Sequence, residues 1–304
     1  MMTRRSLLSF FAFLPFAAQA APFTVPTLQA PEHGLNVFHL GHSLVSLEMP
    51  HMLAQLAPEA HNWHAQLGSG TSLKAHWEPD IEILDFDTTN ATPRFRAARD
   101  AIGSGDYDAV VLTEMVELRD AIRYFNSARY MRRWANLARG GNAQTRIYLY
   151  ETWHNLDDPT GWLERIDHDL EKLWLRQVLG SDSRRNPDHP VYLIPAGQVM
   201  AAVVRAAESG QIDGLTRRDQ LFERKADGSL DTIHINDLGR YIVTLTHYSV
   251  LYHRSPVGRP HLLKRKDGTE ADAFSETAAQ QIQQIVWHVV KTTQRTGLDP
   301  QKES

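Results

Sequence analysis

Two short stretches, far apart in the chain, carry residue types suited to acyl transfer. Near the beginning stands Gly41-His42-Ser43-Leu44, just after an apolar run. A serine hydroxyl becomes a nucleophile once a neighbouring base removes its proton. Near the other end stands Asp231-Thr232-Ile233-His234, followed by Ile235-Asn236 and a helical pattern opened by Asp237-Leu238-Gly239. A carboxylate three residues before a histidine can lie on the same side of a turn and hold the imidazole in the tautomer a general base needs. Each residue also has an ordinary use. A serine ahead of a helix is a common N-cap, an aspartate in a loop forms turns, and a lone histidine is usually structural. The pairing of the two stretches is more specific than either part.

The elements between them decide whether they can meet. Apolar runs at 35–40, 63–67, 108–113, 146–151 and 191–194 alternate with amphipathic stretches, the rhythm of βαβ units around a mostly parallel sheet. Leu118, Ala121, Ile122, Phe125, Ala128, Met131 and Trp134 recur at helical spacing, as do Leu238, Tyr241, Ile242, Leu245 and Tyr248. A last helix is predicted at 276–291, with Ile282, Ile285, Val286 and Val289 inward and a polar tail to Ser304. Residues 180–190 and 213–230 read as loops, the second with a short helix. The chain shows no internal repeat. In such a sheet the crevice lies beyond the carboxyl ends of the strands, where Ser43 would sit on a turn that Gly41 permits.

Gly-x-Ser after the first strand, with Asp-x-x-His before a late helix, resembles the SGNH (GDSL-like) hydrolase superfamily over roughly residues 35–260. The resemblance implies a flavodoxin-like three-layer α/β/α sandwich with a mostly parallel five-stranded sheet. It makes Ser43 the nucleophile, His234 the general base and Asp231 its orienting carboxylate. A glycine of Gln66-Leu67-Gly68-Ser69-Gly70-Thr71 would lend a backbone N–H to an oxyanion hole shared with the Ser43 N–H. Gly70 is preferred and Gly68 is the alternative. Two departures stand out. Gly-Asp-Ser becomes Gly41-His42-Ser43, and the family's third block, Gly-x-Asn-Asp, is replaced by Val111-Leu112-Thr113-Glu114. Losing an oxyanion donor typically costs about 10²–10³ in rate, so a substitute is expected. Asn155, in Glu151-Thr152-Trp153-His154-Asn155, is the first candidate and the Thr113 hydroxyl the second. Glu114, ionised unless desolvated, cannot donate as an anion; pairing with a base or capping a helix is its alternative role. The α/β-hydrolase elbow Gly-x-Ser-x-Gly is not met, because Val45 occupies its second glycine position.

The activity implied is an exported serine esterase, acting on small-molecule or polysaccharide acyl esters, with acetyl on carbohydrate expected and no cofactor needed. The same residues would also serve O-acyl transfer. The alternative from another class is a non-catalytic polysaccharide-binding or assembly protein that keeps the fold without a complete oxyanion hole.

Composition narrows the rest. The 304 residues are 42% hydrophobic and 22% charged, with a net charge of −4 and no long basic run, so nucleic acid is not an expected partner. Arg4 and Arg5, the apolar run from Leu7 to Phe16 and the sequence Ala18-Gln19-Ala20 read as a signal peptide over 1–20, with Thr3-Arg4-Arg5-Ser6 also compatible with twin-arginine export. Cleavage there would leave 21–304 as a single domain, periplasmic or secreted, without stable membrane insertion. The chain has no cysteine, which excludes thiol catalysis, Cys-based zinc sites and iron–sulfur clusters. His61, His64 and His76 lie close in sequence but lack a His-Glu-x-x-His arrangement, and no metal is expected. Trp63, Trp77, Trp153 and Trp162 flank the expected crevice, as packing or as platforms for sugar rings. Gly239 is read as a packing glycine.

Overall fold

The computed structural model describes residues 25–299 and 301; the predicted signal peptide lies outside them. The first half runs β1 (Asn36–His42), α1 (Glu48–Leu56), β2 (Asn62–Gly68), α2 (Leu73–Trp77), α3 (Phe86–Asn90), α4 (Ala98–Ser104), β3 (Ala109–Thr113), α5 (Leu118–Phe125) and α6 (Ser127–Gly141). The second half runs β4 (Arg146–Glu151), α7 (Trp162–Asp169), α8 (Gly180–Arg185), β5 (Tyr192–Pro195), α9 (Ala196–Glu208), β6 (Phe222–Arg224), β7 (Leu230–Ile235), α10 (Asp237–Tyr252) and α11 (Glu276–Thr292). A π-wound stretch, Leu170–Leu179, joins α7 to α8.

Strands β1 to β5 form one parallel sheet in the order β2-β1-β3-β4-β5, the α/β architecture expected from the sequence. Its strands are buried on both faces, so they read as nearly continuous apolar runs. Alternate residues feed two cores. Val37, Val111, Tyr148, Tyr150 and Ile194 pack with α1, α9, α10 and α11. Phe38, Leu40, Val110, Leu112 and Leu149 pack with α4, α5, α6 and the π-wound stretch. In this strand order the chain changes winding direction between β1 and β3, and the crevice of such sheets opens at that point. The residue after β1 is therefore well placed for chemistry.

Three expectations are corrected. Residues 180–190 are not simply a loop, because α8 forms there around the buried Asp182. Its carboxylate accepts from both Arg139 terminal nitrogens (2.9 and 2.8 Å) and from the Val191 N–H (3.1 Å). The helical pattern from 118 to 134 is two helices, parted at Asn126, whose φ of 54° is left-handed. Within 213–230, beside a short 3₁₀ turn at Arg218–Leu221, the chain forms β6, which pairs antiparallel with β7.

Candidate active site

The chain leaves β1 in a tight turn. The Val45 and Ser46 N–H groups both point to the His42 carbonyl (2.9 and 3.4 Å). Ser43 is exposed at its apex while Gly41, His42, Leu44 and Val45 are buried. The N-cap alternative for Ser43 does not hold: α1 begins only at Glu48, whose N–H is accepted by the Ser46 hydroxyl at 3.0 Å. Gly41 is required by its neighbour, since a Cβ there would lie 2.7 Å from the Thr113 Cβ on β3.

Two neutral histidines brace this turn from beneath. The His42 Nε2–H donates to the Glu114 carbonyl (2.9 Å), and the His76 Nε2–H donates to the Gly41 carbonyl (2.8 Å) while its Nδ1 accepts from Gln66 (3.0 Å). Burial pushes both rings down to about 4. His42 thus ties the end of β1 to the residue that follows β3.

Across the turn stands the β7 pair. The Ser43 hydroxyl lies 2.9 Å from His234 Nε2, and His234 Nδ1 lies 2.9 Å from Asp231 Oδ2. Asp231 Oδ1 also accepts the backbone N–H groups of Ile233 (2.9 Å) and His234 (3.0 Å). Partial burial would raise this carboxyl, but the His234 and Ile233 N–H groups and the imidazole outweigh it and hold it at about 2. An ionised Asp231 accepts the Nδ1 proton, which leaves the Nε2 lone pair facing the serine hydroxyl.

A cleft of about 710 Å³ opens beside Ser43, walled by Gly68, Ser69, Thr89, Thr92, Arg94 and Lys266 among others. A smaller recess of about 160 Å³ lies on the His234 side, between Ser43, Ser46, Glu223 and Arg240. Gly68 and Ser69 share the cleft with Ser43, and the Ser69 N–H is already bonded to the Leu84 carbonyl (3.0 Å). Gly70 follows with φ +58° and open space where a Cβ would stand. Gly70 is exposed and, unlike Gly68, does not wall the cleft.

The expected substitutes for the missing amide fare differently. Asn155 does not wall the cleft; its Oδ1 accepts the Thr232 hydroxyl at 3.1 Å, which sets the side-chain amide beside β7. Thr113 is fully buried against Gly41. Glu114 is buried as well. Its Oε1 accepts the N–H groups of Leu73, the first residue of α2 (3.1 Å), and of Met115 (2.9 Å), and burial pushes the carboxyl up. It serves a helix start rather than the cleft.

His61, His64 and His76 do not converge: His61 meets Tyr252 (2.6 Å), His64 meets Tyr107 (3.0 Å) and His76 meets Gly41 and Gln66. Trp63, Trp153 and Trp162 are buried, and Trp77 packs edge-on against Trp134. A Cβ on Gly239 would lie 2.5 Å from the Leu221 carbonyl oxygen, so this glycine lets α10 approach the chain ahead of β6. Sequence reading missed the buried Arg165, which binds Glu117, Asp158, Asp169 and His154. An isolated arginine carries no pattern that would find it.

No protein-family model matches the chain, and no curated protein matches it. Among solved structures, a DUF4886 family protein from Bacteroides uniformis is similar in fold. It is 15% identical, the match covers 88% of this chain and 100% of that one, and the TM-score is 0.53. Lower-scoring matches include a gut microbial diltiazem-metabolizing enzyme, 11% identical over 74% of this chain and 48% of that one, TM-score 0.36. Another is a phospholipase A1 from Streptomyces albidoflavus, 14% identical over 66% and 92%, TM-score 0.30.

Proposed function

We propose that the protein is an exported serine esterase of SGNH type, with Ser43 as nucleophile, His234 as general base and Asp231 as the carboxylate that orients it. The observation that carries this reading is the unbroken line from Ser43 Oγ through His234 to Asp231, with both links at 2.9 Å.

His234 Nε2 takes the hydroxyl proton as Ser43 Oγ attacks the ester carbonyl carbon. The negative charge on the former carbonyl oxygen is assigned to the backbone N–H groups of Ser43 and of a glycine after β2, Gly70 or the cleft-lining Gly68. The carbon–alkoxy bond then breaks, and the alcohol leaves with the proton from Nε2. Water repeats the sequence on the acyl-serine: Nε2 takes its proton, the carboxylic acid departs, and the proton returns to Ser43 Oγ. Because the departing oxygen must be protonated by His234, the alcohol leaves on the side of the imidazole. The expected substrate is an acyl ester, acetyl on carbohydrate in the first instance, and the hydroxyl-rich cleft walls suit a polar substrate.

The test is release of p-nitrophenol from its acetate ester by the wild-type protein and by Ser43→Ala, with labelling of each by a fluorophosphonate. Activity and labelling are expected in the wild type and loss of both in the variant. Equal behaviour of the two proteins would dismiss the reading.

A further inference from the structure

The hairpin that carries Asp231 and His234 is a weak mount by itself. β6 has three residues and β7 six, and together they make a separate two-stranded sheet. Such a pair is marginal in water without further support. Its ends are tied. Leu230 pairs with Arg224 and Ile235 with Phe222, and the Asn236 side chain donates to the carbonyls of Gln220 (2.8 Å) and Phe222 (3.2 Å).

The middle of β7 is held from elsewhere. Thr232 and Ile233 separate the carboxylate from the imidazole, and both are gripped by the loop that follows β4. The Trp153 indole N–H donates to the Ile233 carbonyl at 2.9 Å. The Leu156 N–H donates to the Thr232 carbonyl at 2.8 Å, and the Thr232 hydroxyl reaches Asn155. Trp153 has no solvent exposure and packs edge-on against Tyr150 of β4, so its N–H points from the main sheet to the catalytic arm.

This loop is itself anchored. The Trp162 indole N–H donates to the His154 carbonyl at 2.9 Å. Arg165, buried beneath, joins His154 and Asp158 of the loop to Asp169 of α7 and Glu117 ahead of α5. A fixed sheet, a pinned loop and one indole proton thus lead to the peptide group next to His234.

We propose that Trp153 is a positioning residue: its indole N–H fixes the Ile233 peptide and thereby keeps His234 Nε2 within reach of Ser43. The proposal rests on the esterase reading given above. It assigns a role to a residue that touches neither substrate nor the reacting atoms.

The test replaces Trp153 with Phe, which keeps a buried aromatic ring and removes the donor. The expected result is a fall of about five- to tenfold in kcat for p-nitrophenyl acetate, the factor that corresponds to one lost hydrogen bond, with KM within twofold of wild type. Fluorophosphonate labelling of the folded protein should slow by the same factor, and the low-field resonance of the His234 Nδ1 proton should broaden by exchange. If the Phe variant does not fold, 3-benzothienylalanine at position 153 keeps the bicyclic shape without the N–H and carries the same expectation. Labelling at the wild-type rate with an unchanged low-field resonance would overturn the proposal. Ser43→Ala, run alongside, separates the two claims: labelling that survives in it defeats the esterase reading and this proposal together. Loss of labelling in Ser43→Ala, with a wild-type rate in the Trp153 variant, defeats only the positioning role.

Discussion

The interior holds several imidazoles that must stay neutral, and His247 on α10 offers the cleanest measure of what they cost in acid. It is fully buried and bonded through Nδ1 to the Val243 carbonyl (2.9 Å), with its ring edge-on to Tyr150 at 4.7 Å. Burial pushes it from 6.5 down to about 4. A histidine with a lowered folded value contributes stability that is complete above about 6.5, where the unfolded chain is also neutral, and lost as the pH falls toward 4. Between pH 7 and pH 5 the loss for one such ring is about 2 kcal/mol. His42 and His76, shifted to the same value, act in the same direction. Glu151 opposes them. Burial raises its carboxyl to about 8, so it gains about 2.5 kcal/mol of stability over the same interval. The wild-type pH dependence is therefore composite, and substitution isolates one ring. His247→Leu loses the edge-on ring contact and the Val243 hydrogen bond at every pH, but the difference between its unfolding free energies at pH 7 and pH 5 should shift by about 2 kcal/mol toward greater relative stability in acid. Urea unfolding of both proteins at the two pH values measures this. Identical differences in wild type and variant would refute the claim that a buried neutral imidazole at position 247 resists protonation.

Other outcomes follow from the same contacts. Replacing Arg165 with Met leaves Glu117, Asp158 and Asp169 without their shared cation, which should cost about 3–5 kcal/mol because the guanidinium side chain is 1% exposed. A melting temperature within 2 °C or so of wild type would contradict this, since a chain of this size should lose about 5–8 °C. Asn155→Ala, which removes only the partner of Thr232, should lower kcat by no more than about threefold. A loss on the order of 10²–10³ would return Asn155 to the oxyanion hole. If the first 20 residues are a signal peptide, mass spectrometry of the exported protein should find an N-terminus at Ala21.

The sheet was legible because its strands are buried on both faces, so that Val111 and Leu112 serve different cores yet both must be apolar. The meeting of Ser43, Asp231 and His234 was legible because the chemistry expected of them constrains residue type, and short spacing links two of the three. What escaped was set by distant partners. The helix α8 lies in a polar stretch and depends on Arg139 meeting Asp182. That Asn155 lies beside Thr232 is likewise not written in the sequence. The role of Gly41 was foreseen as freedom to turn, whereas Thr113 on the neighbouring strand is what forbids a side chain there.

The hydroxyl and the imidazole that meet at the rim of the sheet are 191 positions apart in the chain. On the proposed esterase function, a ribosome emitting this polypeptide releases the serine long before its imidazole partner, and a nascent fragment shorter than about three quarters of the sequence would lack the base. Turnover would then begin only after synthesis has passed β7 and the hairpin has docked. Under that proposal, ester cleavage would report the docking of β7 at the rim of the sheet.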